Sequence, residues 1–199
     1  MVTKTIGTSY RPNSKEVKRY LEKWQTLENY RLQEDALNKL FVELCPKYND
    51  ISDILLKVAA LKDFYSTNIY SVFSVARRIK DLNVDKRLDE GDVSLVNDIK
   101  EVMISSKVKH FYSFASKYCS HHRPTFYPIY DSYVDQVLRY FRNRDKFYKF
   151  KNGDLKEYSA FKRVLAEFQK FYDLQQFSLK EIDRYLWLFG KEYFPKQYK

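Results

Sequence analysis

The sequence predicts an all-α protein, a multi-helix single domain, on three observations. Only four glycines and five prolines occur in 199 residues, 31% of residues are charged, and apolar residues recur at three- and four-residue steps along most of the chain. No convincing alternating pair of strands stands out. A chain of this length buries a proper core, so we expect a lead-in over residues 1–12 and one helical domain over 13–199.

Taken in order, Asn13 with Glu16 three residues later starts a first helix whose inner face carries Val17, Tyr20, Leu21, Trp24 and Leu27. A second has Leu37, Leu40, Phe41 and Leu44 inward and stops before Pro46. After the turn-like KYND, a helix from Ile51 to Phe64 uses Ile54, Leu55, Val58 and Ala59. Residues 65–69 interrupt it, and Val72, Phe73, Ala76 and Ile79 mark the next helix. A linker at Asp89–Asp92 precedes a short helix through Val93, Val96 and Ile99. Near the other end, Asn152-Gly153 signals a turn, either closing a small hairpin or linking helices. A long helix follows from Asp154 to Asp173 with Tyr158, Phe161, Leu165 and Phe168 inward. Ser178 and Glu181 form a capping box for a last helix through Ile182, Tyr185, Leu186 and Phe189, which Gly190 is expected to end.

The stretch from Lys107 to Asp145 concentrates the chemistry. It holds all three histidines (His110, His121, His122), Cys119, and Asp131 in a basic neighbourhood. Phe111, Phe114, Ala115, Tyr118, Cys119 and His122 share one helical face, and His110, Ser113, Lys117 and His121 the opposite one. Pro124 and Pro128 hold an extended elbow, because proline lacks the amide hydrogen and disfavours helical angles in the residue before it. Asp131 is placed to cap the following helix, whose apolar face is Val134, Val137, Leu138 and Phe141. Its charged edge carries Arg139, Arg142, Arg144 and Lys146.

The net charge is +10, and residues 101–150 alone carry nine Lys and Arg against four Asp and Glu, a surplus of five. Such a surplus points to a polyanionic partner, because neutralising phosphates releases counterions. Solvated lysine surfaces supply a competing reading. The 18 tyrosines and 15 phenylalanines can stack bases, but AT-rich codons and helical core spacing account for them better. Two cysteines, Cys45 and Cys119, do not make a disulfide framework, and no apolar run suits a signal peptide or membrane span. A soluble, cytoplasmic protein with no membrane association is expected.

Neither common glycine-rich phosphate loop nor a Gly-x-Ser-x-Gly turn is present, which excludes the usual kinases, P-loop enzymes, dinucleotide enzymes and hydrolases. His121 and His122 are adjacent and point to different helical faces, and no spacing matches a zinc pattern, so no metal and no cofactor are expected. What remains is a carboxylate working with a lysine around Asp131, weighed against Asp131 as a helix cap alone. A carboxylate can stabilise a cationic sugar or move a proton, and a lysine amine can attack a sugar carbon once its charge is suppressed.

The order of helix, proline elbow and aspartate at a helix start, YSFASKYCSHHRPTFYPIYDSYV, resembles the later part of the helix-hairpin-helix DNA glycosylases. The resemblance covers roughly residues 50–145. It implies a helical scaffold, with Asp131 in the position of the active-site aspartate, Lys109 as the nearest counterpart of the lysine, and the helices from Ile51 to Ile79 preceding the hairpin. The family's glycine hairpin falls at Ser105 to Lys109, where this chain reads ISSKVKHFY without a glycine.

The expectation is therefore a nucleic-acid-binding protein whose partner is DNA or RNA. In its enzymatic form it cleaves the N-glycosidic bond of a flipped base, with Asp131 and Lys109 catalytic. Lys107, Lys117, His121, Arg123, Arg139 and Arg142 would contact nucleic acid. The alternatives are a binding module without catalysis and a helical module whose aromatics anchor a protein partner.

Overall fold

A computed structural model of the chain describes residues 5–7, 9–47 and 50–195. Residues 1–4 and 8 of the expected lead-in, and Tyr48 and Asn49 of the KYND turn, lie outside the described residues. The helices run α1 (Ser14–Thr26), α2 (Glu28–Asn38), α3 (Ile51–Phe64), α4 (Val72–Asp81), α5 (Val84–Asp89) and α6 (Ser94–Lys100). Strands β1 (Glu101–Ile104) and β2 (Lys107–His110) follow, then α7 (Tyr112–His122), α8 (Ser132–Asp145), α9 (Tyr158–Phe171) and α10 (Leu179–Tyr193). The protein is predominantly α-helical, as its composition predicts. It has two compact units, a terminal one of Met1–Glu28 with Tyr130–Lys199 and a central one of Asn29–Ile129.

In the terminal unit α10 packs on α1 and α8. The predicted inner residues of α8, α9 and α10 are all buried. Tyr20, Phe141, Phe168, Tyr172, Tyr185 and Phe189 form a core of rings, joined by contacts such as Phe168–Tyr172 at 4.8 Å and Phe141–Phe189 at 5.5 Å between centroids, with the half-buried Tyr10 against Phe189 at its edge. Two boundaries differ from expectation. A 3-10 turn occupies Asn152–Lys156 and α9 begins only at Tyr158, because the Glu157 carboxylate accepts from the amides of Ser159 and Ala160 and caps it there. Gly190 lies inside α10 and does not end it. A Cβ at this position would stand 2.6 Å from the Cβ of Tyr133, so the glycine lets α8 approach.

In the central unit α3 packs on α4 and α7, and α6 on α7. The chain continues from α2 into a π-helical turn, Lys39–Leu44, whose wider register leaves Leu44 62% exposed where a core position was expected. Phe73 is likewise exposed, with Val75, Ala76 and Ile79 forming the inner face of α4. The linker expected at Asp89–Asp92 is a turn through Gly91, and a short helix that the sequence reading did not single out, α5, leads into it. The prediction of no strand pair is also corrected. β1 and β2 form an antiparallel hairpin with Glu101 opposite His110 and Ile104 opposite Lys107. Its turn residues, Ser105 and Ser106, have φ values of 47° and 65°, the left-handed pair that a two-residue turn requires. Serine is an unusual choice there, so the turn left no mark in the sequence.

Candidate nucleic-acid interface

The basic surplus is concentrated in the terminal unit. Over Met1–Glu28 and Tyr130–Lys199 there are 21 Lys and Arg against 13 Asp and Glu, whereas Asn29–Ile129 has 15 against 13. Its densest part is the connection from α8 to the 3-10 turn, which reads KFYKFK from Lys146 to Lys151. Lys146 ends α8 in a left-handed conformation, its amide donating to the Arg142 carbonyl. Phe147 and Phe150 are buried, with ring centroids 5.9 Å apart, and Phe147 meets Phe168 at 5.4 Å. The Arg142 guanidinium donates to the Phe150 carbonyl (3.0 Å) and to Asn152 Oδ1 (2.9 Å) and covers the Phe150 ring. Two aromatic anchors and one arginine thus hold the loop, and Lys146, Lys149 and Lys151 are left exposed. Interleaving of lysine with aromatics was the available signal, but a turn signal next to it, Asn152-Gly153, drew the reading toward a connection.

Asp131 occupies the predicted N-cap of α8. One oxygen, Oδ1, accepts from the amides of Tyr133 (2.8 Å) and Val134 (2.9 Å). Its Oδ2 makes no hydrogen bond with a described residue, and the side chain is half-buried. The carboxylate is therefore fixed in direction by one oxygen and uncommitted at the other. Arg139 pairs at 2.5 Å with Asp135, a buried carboxylate that also accepts from the Tyr130 hydroxyl and lies 3.5 Å from the Lys156 ammonium. Arg139 is thus paired within α8, whereas Arg142 holds the loop that follows it.

The other expected residues belong to the central unit. Lys107 is exposed beside the hairpin turn, and Lys109 is half-exposed with its ammonium 5.6 Å from the Tyr70 ring centroid. Arg123 donates to Asp89 at 2.9 Å, tying the elbow to the end of α5, where the Tyr127 hydroxyl also donates to the carbonyls of Arg87 and Asp92. Lys117 and His121 are not on a solvent face. From Phe114 to His122 every residue of α7 is buried, so this helix has no outer side. The Lys117 ammonium donates to Ser113 Oγ at 2.6 Å, and the Tyr65 hydroxyl meets His121 Nε2 at 2.9 Å. Burial, with Lys57, His121 and Arg123 nearby, holds His122 well below the usual histidine range and therefore neutral.

A further buried cation was missed. Lys57 on α3 has no exposed surface, donates to the Lys47 carbonyl at 2.9 Å, and lies 5.6 Å from the Phe41 ring centroid. Desolvation lowers its pKa to about 8, against partial compensation from Cys45, Asp53 and Asp85. The signal was present, since position 57 falls on the same helical face as Ile54, Val58 and Leu61. Among the described residues no three His, Cys, Asp or Glu side chains are grouped to hold a metal ion, and no helix is long and apolar enough to cross a membrane.

These features define a predominantly helical protein with a basic, aromatic-anchored loop on its terminal unit. The chain belongs to the HI_0787_N family, whose N-terminal domain model matches residues 16–126. It is 52% identical over 147 residues to an uncharacterised protein of Haemophilus influenzae, covering 73% of this chain and 70% of that protein. No solved structure matches. The family match includes Lys107, Lys109, Lys117, His121 and Arg123, and ends before Asp131 and the lysine loop.

Proposed function

We propose that this protein binds nucleic acid and acts on it as a DNA glycosylase-like hydrolase. The observation that carries the binding is the loop Lys146–Lys151, three exposed lysines on a rigidly anchored segment within the more basic unit. A preformed cationic surface binds phosphates without first having to order its own backbone.

The chemical step rests on Asp131. A carboxylate held at Oδ1 by two amides, with Oδ2 uncommitted, is suited to stabilise the positive charge that develops on a sugar as its base departs. Water then adds to the sugar carbon and the base leaves with a proton. Lys109 is half-exposed at a hairpin, which favours this hydrolytic form over one with a lysine nucleophile. The test is release of free base from a panel of damaged duplexes by wild type and Asp131→Asn, with DNA binding measured for both. Both proteins should bind and only the wild type should release base. Equal release by the two would remove Asp131 from the chemistry, and no binding by either would remove the function.

A second reading, a module that engages a protein partner, is favoured by a groove of the central unit between α4 and the hairpin. Phe73, Met103 and Val108 line it and are 59%, 61% and 48% exposed, with Arg77, Asp81 and Glu101 at its edges.

A further inference from the structure

The loop Lys146–Lys151 contains a third aromatic that the fold does not use. Phe147 and Phe150 are core residues with several ring neighbours. Tyr148, between them, is half-exposed and makes neither a hydrogen bond nor a ring contact with a described residue. It lies between the exposed Lys146 and Lys149, with Lys151 two residues beyond. Unlike Asp145 and Asp154, which bond Arg144 and the Lys151 amide respectively, no carboxylate within Lys146–Lys151 offsets these lysines.

We propose that this loop takes a single-stranded polynucleotide, with Lys146, Lys149 and Lys151 on phosphates and the Tyr148 ring stacked on a base. The inference rests on the nucleic-acid reading above and names the form of substrate that the loop selects. A duplex offers phosphates on its outside but keeps its base faces stacked inside, so it can engage the lysines and leaves the tyrosine ring without a partner. An unpaired strand offers both, and stacking is tolerant of sequence because every base has a face. A strand held open in this way also suits an enzyme whose target base must leave the helical stack before it can react.

The experiment measures binding of full-length protein to labelled oligothymidylate, oligouridylate and a DNA duplex of the same length, for wild type, Tyr148→Ala and Tyr148→Phe. Because Tyr148 lies outside the ring core, circular dichroism and thermal midpoint should be unchanged in both variants. Tyr148→Ala should weaken single-strand binding by roughly five- to a hundred-fold, the range that base–aromatic stacking supplies, and leave duplex binding within about two-fold. Tyr148→Phe, which retains the ring, should match wild type on every probe. The deoxy and ribo probes show which strand chemistry is preferred, and loss on either supports the assignment. Equal loss on single strand and duplex, or no loss from Tyr148→Ala, overturns the stacking role while leaving polyanion binding in place. Failure of wild type to bind any of the three overturns both.

Discussion

Removing the Asp131 carboxylate tests its capping of α8 separately from the chemistry proposed for it. In Asp131→Ala the amides of Tyr133 and Val134 lose their acceptor at the first turn of a 14-residue helix. Loss of an N-cap of this kind costs about 1–2 kcal/mol. The missing negative charge at the positive end of the helix dipole adds roughly 0.3–1 kcal/mol at low salt. Together these amount to about 2 kcal/mol, or a fall in thermal midpoint of roughly 4–8 °C for a chain of this size. Asparagine retains an oxygen for the two amides and loses only the charge, so Asp131→Asn should cost about 0.5 kcal/mol and 1–2 °C. Thermal unfolding followed by circular dichroism reads both variants against wild type. If asparagine destabilised as much as alanine, the ionised carboxylate and not the cap would be holding α8, and activity lost in Asp131→Asn could no longer be assigned to chemistry. If alanine cost nothing, the capping account itself would be wrong.

Two further perturbations probe the packing. With its pKa lowered by burial to about 8 from an ordinary 10.5, Lys57 binds fewer protons in the folded chain than in the unfolded one between those values. Its contribution to stability therefore rises with pH through that window, and below about 8 the fold carries an unfavourable term of order 3 kcal/mol. Lys57→Met should be more stable than wild type by about 1–3 kcal/mol at pH 7, with the advantage fading as pH approaches 10.5; urea midpoints at several pH values check this. A variant less stable than wild type throughout would make the bond to the Lys47 carbonyl a brace whose value exceeds the desolvation cost. Gly190→Ala forces a methyl to within 2.6 Å of Tyr133 and should destabilise the terminal unit by about 1–3 kcal/mol, although alanine is the better helix former. A rise in thermal midpoint would show that α8 yields easily there.

The legible parts of this fold are those where one helix face meets one core. Val134, Val137, Leu138 and Phe141 were readable from spacing alone, as were the caps at Asn13, Asp131 and Ser178. Reading failed where the backbone changed register or a helix had no outer face. Leu44 leaves its expected side because a π turn intervenes, and the hairpin depends on two left-handed serines that carry no turn signature. Lys117 and His121 were assigned to a polar face because they lie opposite an apolar stripe, but α7 is buried from Phe114 to His122, and they bond Ser113 and Tyr65 there. Gly190 was read as a helix terminator when its missing side chain serves a close approach of two helices. Asp131 was legible as a cap from its place before α8, and the catalytic role proposed for it is a separate reading that the cap geometry does not decide.

The central claim is that the lysine loop is the nucleic-acid contact. Its most direct test is the salt dependence of oligonucleotide binding for wild type and for Lys149→Glu with Lys151→Glu. Each phosphate contact contributes about 0.7 to the slope of log affinity against log salt on single strands. The double variant should therefore bind more weakly at low salt, with a slope shallower by about 1.4. Unchanged affinity and slope would move the interface away from this loop, and wild-type binding absent even at low salt would contradict the account altogether.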